Sequence, residues 1–544
     1  MTLTYDETRE REHLRLLGPA IKKFIADCYR DSAATPTSPR QTLFFFPGGT
    51  GSQLTRATRK FVDGVSSPQE FEYEPVWLIP ATLVGGARDL RMYRDNGGAL
   101  RDKGGRIIVA DAPVGFDGHT PHDALIVWCA SQHVDLFVFP WDWRRRLDET
   151  ARFFVRTFLP SFRAQVLAAG CPDPLERFSL VGHSAGGMVV NLILRGNDPI
   201  VATMTHAITV ATPFFGYPGQ LHRWFEGEPD VDSLGLFRQE LMETIASLPG
   251  LYVLHLLDEE TYRNVTSYAA LTAQAPEFPL PSYPSVDATN ADVRADAYNP
   301  QSNGRLVRYP AMTGFDRHEL DYARLQFQQL TAPMDPHLLQ KFYNIRGVVT
   351  EADEQTPTLG TADNVTWDWI PADFDSDDST PIVDGEPVAG DDTQPAWSTC
   401  LATNDPSRCI TVRGSDISHI CMMNHGRVIS AIDAILRPPG GAMRPRATAL
   451  PEPASDDELV EFLRWVSENH GIVRQWPRFS DPKFRSVVPR KFSKNLYGLA
   501  RRIFMDIMKR PAPRGLFEPQ PPRPKAVRKP AARRGRHTSR KKKR

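Results

Sequence analysis

Cysteine is sparse in this chain, with six in 544 residues and no Cys-x-x-Cys pair. That excludes a disulfide-stapled scaffold and a cysteine zinc site. Free thiols are the default expectation; Cys400, Cys409 and Cys421 lie close enough in sequence for one bridge among them. Long hydrophobic runs are also missing. No uncharged apolar stretch approaches the roughly 18 residues that a spanning helix needs. The first 20 residues, MTLTYDETREREHLRLLGPA, carry charge throughout and lack the apolar core of a secretory leader. The expectation is folding in a cytosol, with export by a route that uses no cleaved leader left open. Positive charge is absent from Gly347 to Ser407, where acids are frequent. The basic residues gather instead at the end. Residues Arg501 to Arg544 hold 17 Lys/Arg against 2 Asp/Glu, so a formal charge of zero conceals a strongly polarised chain.

What remains is ordinary globular composition, 41% apolar and 24% charged. Short β-type runs alternate with helical spacing. TLFFF (42–46), VDLFVF (134–139), RFSLVG (177–182), HAITV (206–210), FYNIRGVV (342–349) and CITVRG (409–414) read as strands. Residues 149–169, 185–195 and 425–436 read as helices, the first despite Pro160. Alternation of this kind predicts an α/β fold with a mostly parallel sheet and helices on both faces. Residues 1–40 form a helical lead-in. Residues 41–214 and 341–440 are two parts of the sheet domain. The Pro/Tyr/Asn-rich stretch within 215–340 is too long for a simple connection and reads as an inserted cap or lid. Residues 441–510 are a helical extension, with helices near 456–469 and 494–509. Residues 511–544 are a basic, disordered tail.

The sharpest local signal is ERFSLVGHSAGGMVV (176–190). Gly-x-Ser-x-Gly between an apolar strand and an apolar helix is a nucleophile elbow, which holds the serine clear of the sheet. Ser184 is therefore the candidate nucleophile, and a structural turn is the bland alternative. A serine hydroxyl needs a base to take its proton. His183 adjoins it and is expected to point elsewhere. The oxyanion of an attacked carbonyl needs fixed N–H donors. Ala185, the residue after the serine, offers one. Thr50, in the glycine-rich PGGTGSQL after the first strand, offers the other. A phosphate loop is the competing reading of that segment, but it lacks the Gly-Lys-Ser/Thr ending.

These segments resemble the lecithin:cholesterol acyltransferase group of α/β-hydrolases, which includes lysosomal phospholipase A2 and the phospholipid:diacylglycerol acyltransferases. PGGTGSQL (47–54) is similar to the group's oxyanion loop, and FPWDWRR (139–145) to its Pro-Tyr-Asp-Trp-Arg segment. GHSAGG (182–187) is similar to its elbow, and ATPFFG (211–216) to the loop that follows. AGDDTQPAWS (389–398) resembles the loop that bears the acid, and DISHICMM (416–423) the histidine loop. The likeness runs over about residues 40–440 and is weak between 215 and 380. It implies the chain order Ser, Asp, His of an α/β-hydrolase. It carries the acid to Asp391, with the neighbouring Asp392 as the alternative, and the base to His419, with His425 as a competitor. The segment WLIPATLVGGARDLRMY (77–93) does not preserve the group's lid cysteines, and the first 20 residues do not read as a leader of the kind the group's secreted members carry.

The implied chemistry is ester attack through an acyl-enzyme. Water or an alcohol then accepts the acyl group, so a lipid esterase and an acyltransferase both remain open. A hydrolase-like scaffold that only binds is the competing class. No cofactor or metal is implied; the acidic tract PADFDSDDSTPIVDGE (371–386) has a cation-loop composition but not EF-hand spacing. LYGLARRIFMDIMKR (496–510) places apolar residues at helical spacing among arginines, which suits either an anionic bilayer surface or docking on the catalytic body. The tail RKPAARRGRHTSRKKKR lacks aromatic platforms, so nucleic acid is not the expected partner.

Overall fold

The computed structural model describes residues 4–32, 41–62, 65–77, 86–96, 98–115, 120–216, 243–254, 316–350, 390–391, 393–394, 396, 398–399, 401, 408–437, 454–473, 475, 482–496, 498–500 and 503. Its strands, in chain order, are β1 (Thr42–Phe46), β2 (Ser52–Val62), β3 (Val65–Trp77), β4 (Met92–Arg94), β5 (Leu100–Asp102), β6 (Ile107–Pro113), β7 (Asp135–Val138), β8 (Phe178–His183), β9 (Met204–Val210), β10 (Phe342–Val349) and β11 (Cys409–Gly414). Six of them form one sheet in the order β11-β10-β9-β8-β1-β7, with every pairing parallel. This is an α/β-hydrolase-like architecture.

The burial of β1 shows why the sheet needs helices on both sides. All five residues of TLFFF are buried. Successive side chains leave opposite faces of a strand. Phe44 and Phe46 enter one core, while Leu43 and Phe45 enter the other. Helices α1 (Tyr5–Ser32), α3 (Leu147–Phe153), α4 (Leu159–Ala168) and α5 (Ala185–Gly196) cover the first face. Helices α2 (Asp123–Ser131) and α7 (Gly426–Leu436) cover the second. The first core is rich in aromatic rings: Phe44, Phe137, Phe139, Phe154, Phe158 and Phe162 meet at centroid distances of 4.8 to 6.2 Å in edge-to-face, tilted and stacked pairs.

The helix expected over 149–169 is present but interrupted. Phe154–Phe158 form a π-helical turn between α3 and α4. Pro160 is the second residue of α4, and its ring and missing N–H disturb the preceding turn, which the wider π turn accommodates. A second sheet lies outside the sequence reading: β3-β2-β6, antiparallel throughout. Of the cap region, residues 217–242 and 255–315 lie outside the described residues. The remainder, including α6 (Arg317–Thr331), sends Ile245, Leu248, Tyr252, Phe327 and Leu330 into the first core. So does α8 (Asp456–Glu468), with Leu459, Phe462, Leu463 and Val466. Leu496, Leu499 and Ile503 are buried in the same core, so this part of the stretch docks on the sheet domain. Residues 504–544, the basic tail among them, lie outside the description. The expectation of free thiols needs one correction. Cys28, Cys129, Cys171 and Cys421 are thiols, but Cys409 is disulfide-bonded. It sits at the start of an edge strand, and its partner lies outside the described residues.

Candidate active site

Strand order reverses around β1, which β7 and β8 flank, and the carboxyl ends of strands at such a point form a crevice. β8 ends there at His183, and α5 begins at Ala185. Ser184 is the single residue between them, at φ 52° and ψ −131°. Few non-glycine residues occupy that region. The bend is tight enough to need glycine beside it. A Cβ at Gly182 would stand 2.5 Å from the carbonyl oxygen of Gly186, and one at Gly186 would stand 2.3 Å from that of Phe46. The latter contact brings the start of α5 against the end of β1.

His419 opens a short 3-10 turn, His419–Asn424, after β11. Its Nε2 lies 3.0 Å from Ser184 Oγ, and its Nδ1 lies 2.8 Å from Asp391 Oδ2. A carboxylate only accepts, so Nδ1 carries the proton and Nε2 faces the hydroxyl as an acceptor. Asp391 is itself fixed. Its Oδ1 accepts from the backbone N–H of Gln394 at 2.6 Å and of Thr393 at 3.3 Å, and its carbonyl accepts from the N–H of His419 at 2.8 Å. Ser184, Asp391 and His419 are at most 5% exposed. The sequence candidates 184, 391 and 419 are thus brought together in one hydrogen-bonded chain. Such a chain can draw the hydroxyl proton toward Nε2 while the carboxylate steadies the imidazolium. Asp392 lies outside the described residues. His425 is elsewhere: its Nε2 bonds Asp416 at 3.0 Å, and its Nδ1 accepts from Arg427 N–H at the start of α7.

Pro47, Gly48, Gly49 and Gly51 line the cleft in front of Ser184, which spans roughly 410 Å³ including its open mouth. Thr50 stands among them at φ 58°, its carbonyl accepting from Trp77 Nε1 at 2.9 Å. The loop faces the start of α5, since a Cβ on Gly49 would stand 3.7 Å from that of Ala185. The remaining wall includes Phe45, Pro121, His122, Ile420 and Met423. Sequence reasoning gave none of these a role in the cleft, although Ile420 and Met423 share the loop of His419. Burial pushes His122 down to about 4, so it is neutral at pH 7. His183 also borders the cleft, and burial with His419 alongside holds its imidazole well below the usual range. Among the described residues no group of three or more His, Cys, Asp or Glu could hold a metal ion. The acidic tract 371–386 lies outside the description.

No family model matches the chain, and no curated protein matches it. Among solved structures, 22 chains match. One, from the crystal structure of the Tle4–Tli4 complex, is 14% identical, with 74% of this chain and 98% of that chain covered and a TM-score of 0.39. A likeness of that size concerns the fold and carries no argument about activity.

Proposed function

We propose that the protein is a serine esterase that cleaves carboxylic esters, lipid or phospholipid esters foremost, through an acyl-enzyme on Ser184. The observation that carries this reading is the hydrogen-bonded chain from Ser184 Oγ through His419 to Asp391, at 3.0 and 2.8 Å. Ser184 Oγ attacks the ester carbonyl, and its proton passes to His419 Nε2 and then to the departing alkoxide. Asp391 holds the imidazole in the required tautomer and orientation. The amides of Ala185 and Thr50 supply the oxyanion donors in this reading, from segments that face each other across the elbow. Water then enters, His419 takes its proton, and the acid is released from Ser184.

The lipid preference rests on the apolar cleft wall of Phe45, Pro47, Pro121, Ile420 and Met423, and on the resemblance to the lecithin:cholesterol acyltransferase group. That resemblance also makes an alcohol an acceptor to be tested beside water. The deciding experiment is product analysis by mass spectrometry with mixed phospholipid and diglyceride vesicles, with and without an added alcohol, for the wild type and Ser184→Ala. The reading requires fatty acid, or the acylated alcohol, from the wild type only. Equal turnover by Ser184→Ala contradicts it.

A further inference from the structure

His183 lies beside the nucleophile, at the last position of β8, and is 8% exposed. Its Nε2 is 2.8 Å from the backbone carbonyl oxygen of His419. A carbonyl only accepts, so His183 is the donor and carries its proton on Nε2. Its suppressed basicity keeps it a neutral donor rather than a second cation beside the imidazolium. The two rings stand 5.0 Å apart and tilted at 41°. The elbow and the base loop are therefore joined twice. Ser184 Oγ bonds the His419 side chain, and His183 bonds the His419 backbone. On the other flank, the His419 N–H is held by the Asp391 carbonyl.

The two joints have different lifetimes in the cycle. During acylation the Oγ–C bond forms and the ester C–O bond breaks, with the serine proton leaving through Nε2 on the departing oxygen. The acylated Oγ has no hydrogen left to donate, so the Ser184–His419 bond is gone. During deacylation the oxygen of water bonds the acyl carbon, Oγ–C breaks, and the water proton returns through Nε2 to Oγ. His419 must hold its place for that step without the serine. The His183 bond involves no atom that changes in the reaction.

We infer that His183 is a positioning residue that keeps the His419 loop in register with the elbow during deacylation. This rests on the reading of Ser184 as nucleophile. His183→Phe keeps a ring of similar size and removes the donor. His183→Gln keeps an N–H donor of similar reach. Stopped-flow kinetics with p-nitrophenyl butyrate separate the burst, which reports acylation, from the steady state, which reports deacylation. For His183→Phe the steady rate should fall about tenfold or more while the burst rate stays within about threefold, so KM falls with kcat. His183→Gln should recover deacylation to within about threefold of wild type. Equal losses in both phases, an unaltered steady rate in His183→Phe, or no recovery in His183→Gln overturns the inference. Thermal melts check the fold, and His183→Leu replaces the Phe variant if that one does not fold. Failure of the underlying reading looks different: intact-mass analysis of the wild type then shows no butyryl adduct on Ser184.

Discussion

Ser184 occupies a backbone conformation that costs free energy for any residue with a Cβ, on the order of 1–3 kcal/mol. The elbow holds it there, and the side chain gains an unobstructed approach to Nε2. The acid can be tested without disturbing this geometry. Asp391→Asn puts an amide where a carboxylate accepts from Nδ1–H, which favours the wrong tautomer and should lower kcat about 10³- to 10⁴-fold with little change in KM. A loss under tenfold in steady-state assays contradicts the assignment. Ser184 and His419 were legible because each stands in a local pattern, an elbow and a loop before a late helix. The preference for Asp391 over Asp392 came from the resemblance and not from a local pattern. The choice depends on which carboxylate meets an imidazole 28 positions away, and neither propensity nor spacing encodes that direction. Buried histidines were equally silent. His13 on α1 stacks on Phe153 at 4.6 Å, and burial, then Arg9, push it down to about 3. An unfolded histidine titrates near 6.5. The neutral buried form therefore contributes full stability above about pH 6.5, which is lost as pH falls toward 3. His13→Phe should gain on the order of 2 kcal/mol over wild type on going from pH 7 to pH 4.5, read from urea midpoints. Parallel declines of the two proteins contradict this.

At the scale of elements, WDWRR after β7 does more than mark a strand end. Arg144 is fully buried, with Nη2 2.7 Å from Asp142 Oδ2 and 2.9 Å from Asp102 Oδ1. Asp102, also fully buried, accepts from Tyr5 Oη at 2.6 Å and from Ile108 N–H at 2.9 Å. One guanidinium thus ties α1, β5, β6 and the loop after β7. Removing one partner of a buried set leaves the others uncompensated. Arg144→Met should cost about 3–5 kcal/mol, visible as a large fall in Tm. A change under about 1 kcal/mol in denaturant titration rejects that role. The sequence displays the two arginines but not the aspartate 42 positions upstream that one of them meets. The antiparallel sheet β3-β2-β6 was similarly obscured. Asp63-Gly64 is a hairpin signal, but the polar residues of β2 and β3 blur the alternation. The inner strand β1 was legible because both its faces are buried and its run is nearly all apolar.

For the whole molecule, the described segments after the late helix α7 contribute buried side chains to the core. Phe492, Leu496, Leu499, Ala500 and Ile503 are each at most 2% exposed, and Gly498 accepts a hydrogen bond from the backbone of Ala454. Each large apolar side chain among them contributes about 1.5–3 kcal/mol. A protein ending at 490 forfeits an amount comparable to a domain's whole stability. It should fail to show a cooperative melt, whereas a protein ending at 511 should melt as the full chain does. A stable 1–490 fragment contradicts this. The basic tail remains a charge argument. Its arginines and lysines gain on the order of 1 kcal/mol each near an anionic bilayer at low salt. Removing residues 512–544 should weaken sedimentation with anionic vesicles and spare turnover of a small soluble ester. Equal sedimentation rejects the tail as a lipid contact. An amphipathic pattern alone cannot separate a membrane face from a docked one, because both demand the same spacing; the burial of Leu496, Leu499 and Ile503 favours docking for that part.

In the proposed mechanism Ser184, activated by His419 and Asp391, is the group that becomes acylated. The most direct measurement is labelling with a fluorophosphonate, read by intact mass and peptide mapping. One adduct is expected, on Ser184, absent from Ser184→Ala and formed about 10³-fold or more slowly in His419→Ala. An adduct on another residue, or labelling of His419→Ala at the wild-type rate, contradicts the mechanism.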